Sequence, residues 1–233
     1  PFVIIENDVV IGDGTEIKSS AVIKSGARIG KECRIFQSAV ISEIPQDLKF
    51  SGEKTLLEIG DRTIVREFCT LNRGTSELGK SSIGNDCLLM AYVHVAHDCV
   101  IGDKTILANG VQLAGHVSIG YHVTIGGMTP IHQFCKVGDH AFVGGGYRVV
   151  QDVPPYILAS GEPLKFAGVN NVGLRRRGFS SESRMNIKRI YKQIFYSAMN
   201  MSESIKEIKS NIEQTEEVKI ILNFIENSNR GLI

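Results

Sequence analysis

An aliphatic residue recurs at every sixth position of this chain, in one frame, from Ile5 to Val149. The series runs Ile5, Ile11, Ile17, Ile23, Ile29, Ile35, Ile41, then Ile59, Val65, Leu71, and resumes at Ile83, Leu89, Val95, Ile101, Leu107, Leu113, Ile119, Ile125, Ile131, Val137, Val143 and Val149. Of the 25 positions in the frame, only Asp47, Glu53 and Glu77 are not aliphatic. A period of six fits neither an amphipathic helix nor a simple alternating strand. It fits a mainly β chain wound as a parallel β-helix, a hexapeptide solenoid with one aliphatic residue from each short strand on its axis.

A second register lies two residues earlier and is small or β-branched: Val9, Thr15, Ala21, Ala27, Cys33, Ala39, Thr63, Val93, Thr105, Val111 and Ala141. Residues two apart in a strand share a face, so this set also points inward. Glycine recurs just after the aliphatic residue, as in Ile11-Gly12, Ile29-Gly30 and Ile101-Gly102. A chain turning a tight corner after each strand is expected to need glycine there for its backbone freedom.

With 233 residues, 42% of them hydrophobic and no Trp, the chain has room for one large domain or a domain plus an appendage. No apolar run approaches the roughly 18 residues of a membrane span, and no signal-peptide pattern opens the chain. A cytoplasmic protein without membrane insertion is expected, with residues preceding Pro1, which already stands in the frame. Cys33, Cys69, Cys87, Cys99 and Cys135 all occupy the small inward register. They read as buried hydrophobes, not as disulfides or a zinc knuckle.

The periodic domain spans 1–155 and closes on Asp152-Val153-Pro154-Pro155. Two frame-preserving loop insertions interrupt it at about 42–58 and 72–82. Residues 156–233 form a C-terminal helical domain. Ile187, Ile190, Tyr191, Ile194, Phe195 and Ala198 share one helical face after Ser180 or Ser181 as N-cap. Ser202 is the expected cap of a second helix and Thr215 of a third, and the three are expected to cap the open end of the solenoid.

Charge is uneven. Residues 165–192 hold Lys165, Arg175, Arg176, Arg177, Arg184, Lys188, Arg189 and Lys192 against Glu182 alone. A solvated helix face and a surface for an anionic partner both account for this run. Few aromatics and no recognised motif argue against nucleic acid.

Three hexapeptides complete a coil, so residues 18 apart stack about 4.8 Å apart. His97, Asp98, Gly115, His116, His132 and Gln133 should then gather along one edge, outside both inward registers. A histidine beside a carboxylate, with a glycine one coil above, suits a general base with a backbone N–H as oxyanion donor. The His94 and His97 spacing keeps a zinc site open, and a purely structural cluster remains a third reading.

The blocks His94-Val95-Ala96-His97-Asp98-Cys99, Leu113-Ala114-Gly115-His116-Val117, Gly126-Gly127-Met128-Thr129, His132-Gln133-Phe134-Cys135, Gln151-Asp152-Val153-Pro154-Pro155-Tyr156 and Gly173-Leu174-Arg175-Arg176-Arg177-Gly178-Phe179 carry a closer resemblance. With Gln46-Asp47-Leu48-Lys49 and Arg230-Gly231-Leu232-Ile233, they resemble the UDP-N-acetylglucosamine O-acyltransferases of lipid A synthesis over essentially the whole chain. The resemblance implies a left-handed β-helix, a homotrimer with active sites in clefts between neighbouring coils, and no metal or other cofactor. It implies transfer of an (R)-3-hydroxyacyl group from acyl carrier protein to the 3-position of UDP-N-acetylglucosamine.

By the same resemblance His97 is the general base, Asp98 its orienting partner and the Gly115 N–H the oxyanion donor. Asp47, Lys49, His94 and His116 contact sugar and phosphates, and His132, Gln133, Asn170, Arg176 and Arg177 hold the nucleotide. Gly145 sets the depth of the acyl groove, with Tyr147 beside it able to shorten the groove. Asn72 departs from the family's histidine in the first insertion and bears on whether a 3-hydroxyl or 3-amino acceptor is used. Other readings are the sister N-acyltransferase, which carries an extra N-terminal domain, a γ-carbonic-anhydrase-like metalloenzyme, and a structural solenoid.

Overall fold

Inward residues at a period of six force the backbone into flat two- to four-residue strands separated by corners, and three such strands close one coil. The computed structural model describes all residues, Pro1–Ile233. Its strands stack into three parallel sheets, the faces of a triangular prism. The first face includes His94–Val95, Gln112–Leu113 and Pro130–Ile131. The second includes Val100–Ile101 and Ser118–Ile119, and the third Ile106–Leu107, Thr124–Ile125 and Phe142–Val143. His94 pairs with Gln112 and Gln112 with Pro130, the 18-residue spacing of the coils.

Both inward registers are buried, and they form one continuous core that also takes in the helices. The axis opens only in the first coil, where Ile5 is half exposed. All five cysteines are buried and free. Burial pushes the Cys69 and Cys99 thiols up to about 12, and Cys87 and Cys135 to about 11.

The corner glycines have a different cause from the one expected. Gly12, Gly30, Gly60, Gly84, Gly102, Gly120 and Gly138 do not adopt positive φ. They are small because neighbouring coils touch there: a Cβ on Gly12 would meet the Gly30 carbonyl carbon at 2.6 Å. The left-handed conformation falls two residues later in the corner, on Asp98 (φ 57°), His116 (φ 61°) and Phe134 (φ 64°) among others. Each costs of order 1 kcal/mol, borne by the stacked coils around it.

Both insertions leave the prism at the corner between first and second faces. Val40 pairs with Thr70 across the first insertion, and Leu57 with Ser81 across the second. They therefore add two hexapeptides and one hexapeptide, which is why the frame survives and why Asp47, Glu53 and Glu77 interrupt it. Strands Val40–Glu43, Leu56–Ile59, Thr70–Asn72 and Lys80–Ile83 narrow the excursions to 44–55 and 73–79.

The third sheet runs on past 155 through Ile157–Ser160, which pairs antiparallel with Lys165–Val169. Four helices follow: α1 Asn171–Arg176, α2 Ser181–Tyr196, α3 Met201–Asn211 and α4 Glu216–Glu226. The expected caps Ser180 and Thr215 hold their positions. The expected Ser202 cap does not: Asn200 accepts from Glu203 N–H while the Glu203 carboxylate accepts from Asn200 N–H, a reciprocal box that Ser202 cannot match. Tyr191 of α2 donates to the Pro155 carbonyl at 2.6 Å, and α4 laps over the second face beside Ser118 and Lys136.

Candidate active site

Two stacked columns of corner residues make the site. His97, Gly115 and Gln133 form one; Asp98, His116 and Phe134 form the other, one residue on. The strands ahead of them lie on the first face, so the corner holds all six close together. His97 Nδ1 lies 2.9 Å from Asp98 Oδ2. A carboxylate only accepts, so Nδ1–H donates and His97 Nε2 is left as a base.

Asp98 is 1% exposed and held from the second insertion: Thr75 N–H donates to Oδ1 at 3.0 Å and the Thr75 hydroxyl to Oδ2 at 2.6 Å. Burial pushes its pKa up, but the bonds from the Thr75 hydroxyl, His97 and the Thr75 amide outweigh this and leave it below the usual carboxylate range. Glycine at 115 makes room for the ring, since a Cβ there would lie 2.6 Å from His97 Cε1 and 2.7 Å from Nε2.

The Gly115 N–H donates to no acceptor in the protein. At the next corner the equivalent amides are capped from the coil above, Asn85 N–H by Asp103 Oδ1 at 2.8 Å and Tyr121 N–H by Asp139 Oδ1 at 2.7 Å. The histidine corner therefore keeps a free donor beside a free base. His116 stacks on Phe134 with centroids 4.6 Å apart and meets His97 edge-on.

The first insertion folds back over this corner. Asp47, Lys49, His97, His116 and Gln133 line one cavity of about 660 Å³ with Phe50, Glu77 and Phe134. A second cavity, about 680 Å³, lies on the third face and brings together Asn170, Arg176 and Arg177 over Ile106, Thr124 and Phe142. Asn170 Nδ2 donates to the His140 carbonyl at 3.0 Å, and Arg177 Nη1 to the same carbonyl at 3.2 Å. Burial, then Arg177 and His122, push His140 down to about 4, so its ring is neutral beside the guanidinium. In a triangular prism the third face is opposite the first corner, so one chain does not unite the two cavities.

Four expected substrate-binding residues, His94, Gly145, Asn72 and His132, line neither cavity. His94 bonds Thr70 Oγ1 through Nδ1 at 2.7 Å on the first face, and burial lowers its pKa. Gly145 stacks on Gly127 at the third corner, where a Cβ would meet the Gly127 carbonyl at 3.0 Å. Asn72, expected at the substrate, is 1% exposed and donates to the Ile44 carbonyl at 2.9 Å, pinning the root of the first insertion. His132 sits beside Gln133 but turns to Arg230.

The donor atoms of His97, Asp98 and His116 lie within 4.8 Å of one another, the grouping a metal reading requires. The buried Asp98 oxygens are already engaged by Thr75 and His97, which suits a held imidazole better than a cation. Thr75 and Phe134 are site residues that sequence spacing missed. Thr75 comes from an insertion with no register, and Phe134 reads as one more exposed aromatic until stacked 18 residues above His116.

The family described as UDP-N-acetylglucosamine O-acyltransferase, domain 2, matches residues 152–233, and the bacterial transferase hexapeptide family matches 80–115. Among solved structures, the LpxA of Acinetobacter baumannii is 42% identical, with a TM-score of 0.97 over 100% of this chain and 91% of that one. The LpxA of Bacteroides fragilis, a UDP-N-acetylglucosamine acyltransferase, is 40% identical, with a TM-score of 0.95 over 100% of this chain and 98% of that one. The Francisella novicida UDP-N-acetylglucosamine acyltransferase is 39% identical, with a TM-score of 0.97 over 100% and 86%. The prism is thus a left-handed parallel β-helix, and the chain belongs to the UDP-N-acetylglucosamine O-acyltransferase family of hexapeptide-repeat enzymes.

Proposed function

We propose that this enzyme moves an (R)-3-hydroxyacyl group from acyl carrier protein to the 3-position of UDP-N-acetylglucosamine, the first step of lipid A biosynthesis. One observation carries the chemistry: His97, held through Nδ1 by Asp98, lies beneath the free Gly115 N–H in a cavity walled by Asp47 and Lys49. His97 Nε2 takes the proton of the sugar 3-hydroxyl as its oxygen attacks the thioester carbonyl. The Gly115 N–H stabilises the resulting oxyanion, a contribution of about 2.7–4 kcal/mol where such donors have been removed. Collapse breaks the C–S bond, and the carrier thiolate takes the proton back from His97. Asp98 fixes the tautomer throughout, stabilises the imidazolium that forms, and does not itself take up the proton.

Arg176 and Arg177 supply the charge for a nucleotide diphosphate and Asn170 lies beside them, but on the opposite side of the prism. A homotrimer, in which the third face of one copy meets the histidine corner of the next, completes the site. The basic side of α2 is the surface for the acidic carrier protein, and Lys188 and Lys192 flank an apolar groove floored by Phe166 and Tyr196. No helix is long and apolar enough to cross a membrane. The reading places the enzyme in the cytoplasm, with no metal or other cofactor in its reaction.

The test is acyl transfer with UDP-N-acetylglucosamine and its 3-amino analogue side by side, followed by mixing two inactive variants, His97→Ala and Arg177→Ala. Ester product and activity regained on mixing support the reading. Amide product alone shifts the acceptor to the amino sugar, and no gain on mixing refutes sites shared between copies.

A further inference from the structure

Residues 228–233 close the top of the histidine corner. Asp152 continues the column of Asp98, His116 and Phe134 by one coil and is fully buried. Its Oδ1 accepts from Lys136 N–H at 2.7 Å, and its Oδ2 from the Ser228 hydroxyl at 2.7 Å and Arg230 N–H at 3.4 Å. Asp152 N–H donates to the Gly231 carbonyl at 2.8 Å, Ile233 N–H to the Asp152 carbonyl at 3.2 Å, and Gln151 Nε2 to the Leu232 carbonyl at 3.0 Å. The segment is clasped by its backbone and the Ser228 hydroxyl, and the Arg230 side chain takes no part in the clasp. That side chain reaches the coil below, where Nη2 lies 3.1 Å from His132 Nδ1.

We propose that Arg230 is a positioning residue that sets the tautomer of His132, so that the ring presents Nε2–H to an anionic group of the substrate. This rests on the reading that the nucleotide lies against His132 and Gln133. His132 Nδ1 has two neighbours that demand opposite things: the guanidinium only donates, while the Gln133 carbonyl, 3.2 Å away, only accepts. Against Arg230, Nδ1 must be the acceptor and the proton sits on Nε2. Without Arg230, Nδ1–H turns to the Gln133 carbonyl and Nε2 becomes an acceptor, which repels a phosphate oxygen. The hydrogen bond on one ring nitrogen thus decides what the other offers. Being charge-assisted, it outweighs the neutral contact.

Nitrogen-15 NMR of the histidine rings, with UDP titrated into the full-length protein, tests this. The wild type should show His132 as the Nε2–H tautomer, and Arg230→Ala should convert it to Nδ1–H with the melting temperature unchanged, because the Asp152 clasp uses only backbone atoms of Arg230. UDP affinity should fall about 10- to 100-fold in Arg230→Ala, the scale of one hydrogen bond to a charged group. Arg230→Lys should recover most of the loss, and kcat should stay within about twofold. His132→Ala should fall similarly, and adding Arg230→Ala to it should cost nothing more. An unchanged tautomer in Arg230→Ala, or additive losses in the double variant, overturns the proposal. Failure of the wild type to bind UDP at all overturns instead the functional reading beneath it.

Discussion

Gly115→Ala separates the geometry of catalysis from the stability of the fold. The added Cβ would lie 2.6 Å from His97 Cε1 and 2.7 Å from Nε2, where van der Waals contact needs 3.4 Å or more. The backbone at 115 is not in the left-handed region, so alanine meets no conformational penalty. What must yield is the far end of one side chain, at a cost to folding of about 1 kcal/mol. The ring retreats by about 1 Å, and a misplacement of that size costs about 10²-fold in rate. That corresponds to about 2.7 kcal/mol of lost transition-state stabilisation. The retreat also strains the 2.9 Å bond to Asp98. The assay is kcat at saturating acyl carrier protein and UDP-sugar, beside UDP affinity by calorimetry and thermal melting. Kcat should fall about 100-fold, with UDP affinity and folding nearly unchanged. A kcat above about a third of wild type would refute the claim that His97 works from its observed position.

Thr75→Val removes the 2.6 Å hydroxyl bond to buried Asp98 and should cost about 1.5–3 kcal/mol of stability at neutral pH. Because the Asp98 pKa is lowered in the fold, its stabilisation is present above the unfolded value near 3.9 and lost as pH falls through the folded value. The gap between variant and wild type in melting experiments should therefore close in strong acid; a gap that stays constant with pH contradicts this. A thiol reagent at pH 8 should label none of the five cysteines until denaturant is added, and rapid native labelling of two or more would mean the inward register is wrong. Lys188→Glu with Lys192→Glu should raise the KM for acyl carrier protein and flatten its salt dependence, leaving the KM for UDP-sugar unchanged. An unaltered carrier KM at low salt puts the docking surface elsewhere.

The hexapeptide frame made the coils legible because each aliphatic residue does one job, filling the axis, at one spacing. The same arithmetic stacked His97 under Gly115 and Asp98 under His116 without any coordinates. It failed wherever the backbone leaves the register. Thr75 reaches Asp98 from the second insertion, where no period predicts a partner. Asn72 looks like a polar site residue in sequence, yet its strand turns it under the first insertion. The corner glycines were legible, but their cause was not: close approach between coils depends on a neighbour one coil away, far along the sequence, which conformational preference alone does not reveal. In the helical region the Asn200–Glu203 box outcompeted Ser202, and α1 was too short for its periodicity to show. The separation of Asn170, Arg176 and Arg177 from His97 follows from the closed prism, which no linear motif displays.

The most direct test of the account is the acyl-transfer rate of His97→Ala, measured with oligomeric state and UDP affinity on the same preparation. Loss of a positioned general base costs about 10²–10⁴-fold. The account predicts a loss in that range from a protein that still assembles and still binds UDP. Retention of more than about a tenth of wild-type turnover would contradict it, and the proton would then have to leave the acceptor by another route.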